Sequence, residues 1–404
     1  MNDRPTLLMV VTEDWDFASH RLPIARGAIR QGYRVVVATR VGKEADRLKA
    51  EGIELVALRW SRGGLGLHRE VQAILQLAAL YRRIKPDVVH LVSHKPIAYG
   101  TAAAMLAGQR GIVHAITGTG SYFLGTTVKA RALRPFVKAT LGFALRRKGS
   151  VSLFQNRDDR RLFLGPDAEK SERQALIRGA GVDLSEFPHS RIPPGIPLVV
   201  LPARLLWDKG VGEFVAAAKL LKARGVKARF ALIGDTDDAN PAATPRDQVA
   251  NWHAEGTIEA WGYRADMPAV LAQSTIVCLP SYAEGLPKAL LEALAVGRPI
   301  VTTDAPGCRE VVVPGENGLL VPVRSVEPLA DALERILKDS DLARSMGERS
   351  RAMAEQFSVE SVVAATLELY QKVLRPERAR LLRPARTAPL PGTPAKSLVN
   401  EQTC

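Results

Sequence analysis

Short apolar runs alternate with helical patterns along this chain, break at a proline-rich stretch, and then begin again. Runs of four to six mostly apolar residues separated by amphipathic segments are the mark of parallel strands covered by helices on both faces. The first series is Thr6–Val11, Arg34–Ala38, Glu54–Ala57, Val88–Val92, Ile112–Ile116 and Val151–Gln155. His189 to Pro197 reads as a linker. The second series is Leu198–Leu201, Arg229–Ile233, Thr257–Trp261, Thr275–Leu279, Ile300–Thr303 and Gly318–Val321. The pattern predicts an α/β chain of two doubly wound, Rossmann-like domains, 1–190 and 198–357, facing a cleft. Ligands in such sheets bind beyond the carboxyl ends of the strands. At 404 residues each domain is large enough for its own core.

One segment of the second series carries the most chemistry. The run Ile276–Leu279 leads into Pro280-Ser281-Tyr282-Ala283-Glu284-Gly285, and Pro287 then opens a helix to about Val296. The first N–H groups of such a helix are unpaired and carry partial positive charge, which makes its tip an anion site. Glu284 in the loop and Glu292 in the helix would stand about 8–10 Å apart. That span suits a nucleoside-diphosphate sugar folded over the tip, with Glu284 toward the sugar and Glu292 toward the ribose hydroxyls. Spacing by itself is equally consistent with a surface loop acid and an ordinary helical glutamate.

Charge narrows the partners. Lys and Arg number 56 against 42 Asp and Glu, and the isoelectric point lies near 9.9. An excess of this kind favours polyanionic neighbours. Between Thr126 and Gly149 stand Lys129, Arg131, Arg134, Lys138, Arg146, Arg147 and Lys148, with no acid and with Val128, Leu133, Phe136, Val137, Leu141, Phe143 and Leu145 among them. Such a stretch suits an anionic bilayer surface, and suits equally a core-packed helix with a solvated basic face. Arg82, Arg83 and Lys85 would extend it. No aromatic stacking set, zinc spacing or helix-turn-helix signal points to nucleic acid. Cys278, Cys308 and Cys404 form no metal spacing and no disulfide framework. No apolar run approaches the roughly 20 residues that span a bilayer, and Met1–Val11 has too short an apolar core for a signal peptide. A cytoplasmic protein, peripheral on the inner face of the plasma membrane, is the expectation.

The double-acid segment resembles the signature of the retaining, family-four glycosyltransferases of the two-Rossmann-domain (GT-B) type. Further matches follow in the family's order: Pro202-Ala203-Arg204-Leu205-Leu206-Trp207-Asp208-Lys209-Gly210, Asp304-Ala305-Pro306-Gly307-Cys308-Arg309-Glu310 and Gly315-Glu316-Asn317-Gly318-Leu319-Leu320-Val321, with Gly181-Val182-Asp183 ahead of them. The resemblance runs from Thr6 to about Leu374. It is nearest to bacterial capsule and lipid-linked-glycan transferases such as N-acetylgalactosaminyltransferases. It implies a retaining transfer of a hexose or N-acetylhexosamine from a nucleotide sugar, UDP-linked, to a polyprenyl-linked saccharide. The second domain would bind the donor and the first the acceptor. A crossover helix, 358–374, would return to the first domain, ahead of a flexible basic tail, 375–404.

By the same resemblance Arg204 and Lys209 form a diphosphate clamp, an arginine fork and a point charge. Glu284 contacts the sugar, and Gly285, Leu286, Pro287 and the neighbouring N–H groups hold phosphate and sugar. Glu292 binds the ribose and Tyr263 lies by the base. No paired carboxylates for a divalent ion are evident, so no metal and no cofactor beyond the nucleotide sugar is expected. Phe17 to Pro23 stands where many relatives have a glycine-rich loop, which points His20 and Arg21 to the acceptor. His94 and Lys95 follow one strand and Gly118 and Gly120 another, so these are acceptor candidates, with His94 also a catalytic one. Asn156 with Asp159, after the sixth strand, is a further cleft candidate.

Three rivals have distinct marks. A nucleotide-sugar epimerase of the same fold would interconvert its sugar without an acceptor. A dinucleotide oxidoreductase would need Gly-x-Gly-x-x-Gly after strand one, where Thr12-Glu13-Asp14-Trp15 stands instead. A non-catalytic membrane-binding adaptor would not need a complete donor motif.

Overall fold

The structure, a computed structural model, describes residues 4–60, 66–119, 123, 128–238 and 240–382. Its strands are β1 Thr6–Glu13, β2 Arg34–Arg40, β3 Glu54–Ala57, β4 Val88–Val92, β5 Ile112–Ile116, β6 Ser150–Phe154, β7 Gln174–Leu176, β8 Leu198–Pro202, β9 Arg229–Ile233, β10 Glu259–Gly262, β11 Ile276–Leu279, β12 Ile300–Thr303 and β13 Gly318–Val321. Among the described residues β1 to β7 form one sheet, in the order β3-β2-β1-β4-β5-β6-β7, and β8 to β13 another, in the order β10-β9-β8-β11-β12-β13. Every pairing recorded between them is parallel.

These are the two doubly wound sheets that the alternation predicts. Strand ends move by one or two residues, and β7 is an addition. The central strands are fully buried, which is why they read as continuous apolar runs. Helices on both faces complete four apolar clusters, two to each sheet.

Strand order reverses between β1 and β4 in the first sheet and between β8 and β11 in the second. A crevice opens at such a reversal, because successive crossovers leave to opposite faces. The segments after these four strands carry most of the sequence candidates.

The helix Val359–Val373 leaves the second sheet and buries Val362, Val363, Leu367, Leu369 and Tyr370 in the core of the first. It lies against the helix Leu22–Gln31 at Gly27, where a β-carbon would collide with Val363. Tyr370 reaches His90 of β4, with its hydroxyl 2.6 Å from Nδ1. Burial, with Arg21 and His114 adding to it, pushes His90 down to about 3, so the ring is neutral. Ser358 caps the helix by accepting the Ser361 N–H. Just ahead of the cap, Val182 N–H donates to Phe357 O at 2.9 Å and Val359 N–H to Val182 O at 3.0 Å. The outward and returning crossings between the two sheets are thus hydrogen-bonded to each other.

Candidate active site

The double-acid loop is held from beneath by its own sheet. Ser281 donates to Asp208 O at 3.1 Å, and Tyr282 N–H donates to the same carbonyl at 2.9 Å. The Thr303 hydroxyl donates to Ser281 O, and Glu284 N–H to Pro306 O at 2.9 Å. Two glycines allow the close approach. Gly210 has φ +75°, and a β-carbon there would collide with Pro280 O; one on Gly307, at φ +77°, would collide with Glu284 O. Only glycine takes that backbone region without strain and leaves the space empty. Pro287 sits at the cap position, one residue earlier than the sequence places it, and the helix runs Lys288–Val296.

With the backbone fixed, the charged side chains pair. Lys209 Nζ lies 2.5 Å from Glu284 Oε1, both side chains being largely buried. Arg204 pairs with Asp237 at 3.0 Å and is half exposed. Lys288 pairs with Glu292 at 3.3 Å along the helix. Burial pushes the Glu292 carboxyl up, against the pull of Lys288, with Glu186 raising and His20 lowering it further.

A cavity of about 290 Å³ lies between the two halves of the molecule. Arg204, Lys209, Glu284, Gly285, Leu286, Pro287 and Lys288 line it from the second half, and Trp15, Asp16, His20, Arg21, Thr117 and Gln155 from the first. Glu292 and Tyr263 do not line it. Tyr263 follows β10 and is 74% exposed, next to Arg264, which stacks over Trp261.

On the first half the expected loop is a helix. Asp14–His20 is helical, and Arg21 joins it to Leu22–Gln31. His20 Nδ1 lies 3.3 Å from Asp16 Oδ1. Burial raises Asp16, but His20, Arg21 and Arg204 outweigh it and hold the carboxyl low. Arg21 is 3% exposed, with no partner for Nε, and burial lowers its guanidinium against the pull of Asp16 and Tyr370.

His94 and Lys95 do not line the cavity. The helix His94–Ala107 begins directly after β4 and turns Lys95 onto Glu70, 3.2 Å away, and over the Tyr99 ring. His94 packs edge-on against Phe163 with ring centroids 5.7 Å apart. Burial pushes it down to about 4 while Gly118 opposes, so it is neutral at pH 7. Gly118, φ +126°, faces the Gly285 N–H. Gly120 lies outside the described residues.

The sequence did not single out Trp15, Asp16, Thr117, Gln155 or the Asp237 partner of Arg204. Asn156, completely buried, sits at the start of the helix Arg157–Leu164 and also touches the double-acid loop. Its neighbour Asp159 is pushed up to about 7 by burial, with Asn156 opposing and Asp158 reinforcing the shift. Among the described residues, no three His, Cys, Asp or Glu side chains gather as metal ligands, and no helix is long and apolar enough to cross a membrane.

Comparison with known proteins bears on both halves. A family model described as "Glycosyl transferase 4-like" matches residues 6–155, and one described as "Glycosyl transferases group 1" matches 184–353. The chain is 26% identical over 368 residues to the N,N'-diacetylbacillosaminyl-diphospho-undecaprenol alpha-1,3-N-acetylgalactosaminyltransferase of Campylobacter jejuni, covering 88% of this chain and 95% of the relative. It is 32% identical to the putative colanic acid biosynthesis glycosyltransferase WcaL of Salmonella typhimurium over 50% of this chain and 52% of that one. Among solved structures, Anabaena Alr3699/HepE in complex with UDP superposes with a TM-score of 0.73 at 18% identity, covering 91% of this chain and all of that one. Sucrose-phosphate synthase from Thermosynechococcus elongatus gives 0.74 at 17% identity, over 92% and 99%. Those two likenesses establish the architecture. With family models matching in tandem over most of its length, the chain belongs to the glycosyltransferases of the two-Rossmann-domain, GT-B type.

Proposed function

We propose that the protein transfers a hexose or N-acetylhexosamine from a UDP-linked sugar to a polyprenyl-linked saccharide, with retention, in bacterial surface glycan synthesis. The observation that carries this is the pairing of Lys209 with Glu284 in a cavity walled by both halves, at the strand ends where a nucleotide binds. The Campylobacter relative's name describes an N-acetylgalactosaminyltransferase acting on an undecaprenyl-diphosphate saccharide, and the HepE structure holds UDP.

The donor diphosphate lies across Arg204, Lys209 and the N-terminus of Lys288–Val296, whose N–H groups and cations hold the departing charge. As the bond from the anomeric carbon to the phosphate oxygen breaks, the acceptor hydroxyl attacks from the same face. The leaving phosphate takes the hydroxyl proton. Glu284 contacts the sugar with Lys209 beside it as its counter-ion. The acceptor enters past His20 and Arg21. Cations and N–H dipoles supply the charge stabilisation, so no metal takes part.

A panel of nucleotide sugars, incubated with the protein and a lipid-linked saccharide, tests this. One UDP-sugar should be consumed, slowly alone and fast with acceptor, and EDTA should leave the rate unchanged. Interconversion of the sugar nucleotide without acceptor would favour an epimerase. Strict dependence on magnesium or manganese would overturn the metal-free clamp.

We further propose that the helix Val128–Leu145 rests on anionic membrane at the cytoplasmic face. Phe136 and Phe143 are 69% and 62% exposed, and Arg131, Lys138 and Lys148 are exposed beside them. Each basic residue near such a surface contributes about 1 kcal/mol. Replacing Arg131, Lys138 and Lys148 by glutamate should therefore release the protein from anionic vesicles while activity on a soluble acceptor persists. Binding of the unmodified protein should weaken with salt, because such charges are screened over about 10 Å at moderate ionic strength. Undiminished co-sedimentation of the variant would refute the docking.

A further inference from the structure

Asn156 stands at the end of β6 and touches both halves of the molecule. Its Oδ1 accepts the Asp159 N–H at 2.7 Å, capping the helix Arg157–Leu164. That bond fixes the amide plane, so the NH2 group points the other way and meets two carbonyls of the second half. Nδ2 donates to Gly285 O at 2.8 Å and to Glu284 O at 3.2 Å, while Asp159 Oδ2, at 2.9 Å, steadies it from the side. Two adjacent carbonyls can be satisfied only by a donor, and a buried amide is a strong one once its orientation is set.

The surroundings leave no slack. A β-carbon on Gly285 would collide with Thr117 O and Gln155 Oε1, both of the first half. The same turn is pinned to the next segment of the second half. Arg309 reaches Asp158 at 2.7 Å, and Arg157 N–H donates to Glu310 at 3.2 Å. The loop is thus gripped from below by Pro306 and from above by the end of β6.

Resting on the placement of the donor sugar at Glu284, we propose that Asn156 is a positioning residue, a strap from the acceptor half that holds the Glu284–Gly285 peptide in its transfer geometry when the cleft is closed. It touches neither sugar nor phosphate and acts through the loop backbone. The second half alone holds the diphosphate, so donor affinity does not need the strap. The geometry of attack does, because displacement of reacting groups by about 1 Å costs on the order of a hundredfold in rate.

Asn156→Asp and Asn156→Ser test this. Aspartate and serine are both good helix caps, but the first presents oxygen to the two carbonyls and the second falls short of them. With thermal melting as a control for folding, kcat for transfer should fall about tenfold or more. Donor KM and UDP affinity should stay within about twofold of the unmodified protein. Small-angle scattering of the UDP-bound variants should show a more open molecule. Unchanged kcat in Asn156→Ser overturns the strap, and so does a parallel loss of kcat, UDP affinity and melting temperature. Glu284→Ala, run beside them, separates the two failures. If it retains full activity the donor placement itself is wrong, whereas an inactive Glu284→Ala beside a fully active Asn156→Ser removes the strap alone.

Discussion

Lys209→Ala is expected to lower kcat by about a hundredfold or more, and Arg204→Ala by a similar factor, each removing one group that stabilises charge on the leaving diphosphate. The two should differ in donor binding. Lys209 is largely buried and pairs with Glu284 at 2.5 Å, so its loss also leaves a carboxylate beside the sugar without its counter-ion. Arg204 is half exposed, pairs with Asp237 and acts on Asp16 without a direct pair, and water compensates its loss more cheaply. Lys209→Ala should therefore raise donor KM more than Arg204→Ala does. Steady-state kinetics with the preferred nucleotide sugar measure both, and near-normal turnover in either variant would contradict the cationic clamp.

Glu284 and Glu292 should separate in kinetics. Glu284→Ala is expected to depress turnover more than donor affinity, because its contacts strengthen as the glycosidic bond breaks. Glu292→Ala should instead weaken donor binding by about 1–3 kcal/mol through lost ribose hydrogen bonds. In the structure Glu292 is buried, pairs with Lys288 and lies outside the cavity lining. In the proposed complex a ribose would have to draw Lys288 away to reach it, and calorimetric titration with UDP should show the loss for Glu292→Ala but not for Glu284→Ala. Equal and minor effects of both substitutions would remove the donor assignment.

How much of this could be read from sequence depended on whether the interaction was local. β4, β8 and β11 were legible because a strand buried on both faces must be apolar throughout. β7 was not, since three half-buried residues at a sheet edge carry no such constraint. The helix Asp14–His20 had a usable sign, its first-turn acids Asp14 and Asp16, which favour the positive end of the helix dipole. The segment's place in the chain, where many relatives have a glycine-rich loop, concealed that sign. Lys95 looked available until Glu70, 25 residues upstream, proved to hold it. Asn156 was a cleft candidate by its place after a strand, but its carbonyl partners lie 128 and 129 residues away. Motifs thus located the loop that lines the cavity from the second half, while tertiary pairing decided which cations were already engaged.

The helix Val359–Val373 has a consequence for how the chain is made. It supplies five buried side chains to the core of the first sheet, and each fully buried side chain of this kind contributes about 1.5–3 kcal/mol. A domain that folds during synthesis normally closes its core as soon as its own residues emerge. Here the first half must wait, its face against Leu22–Gln31 uncovered, until the ribosome has released a segment made after the whole second half. A chain ending at residue 357 would hold every buried residue of the second half's core and lack the last helix of the first, and the half made first would be the last to become stable.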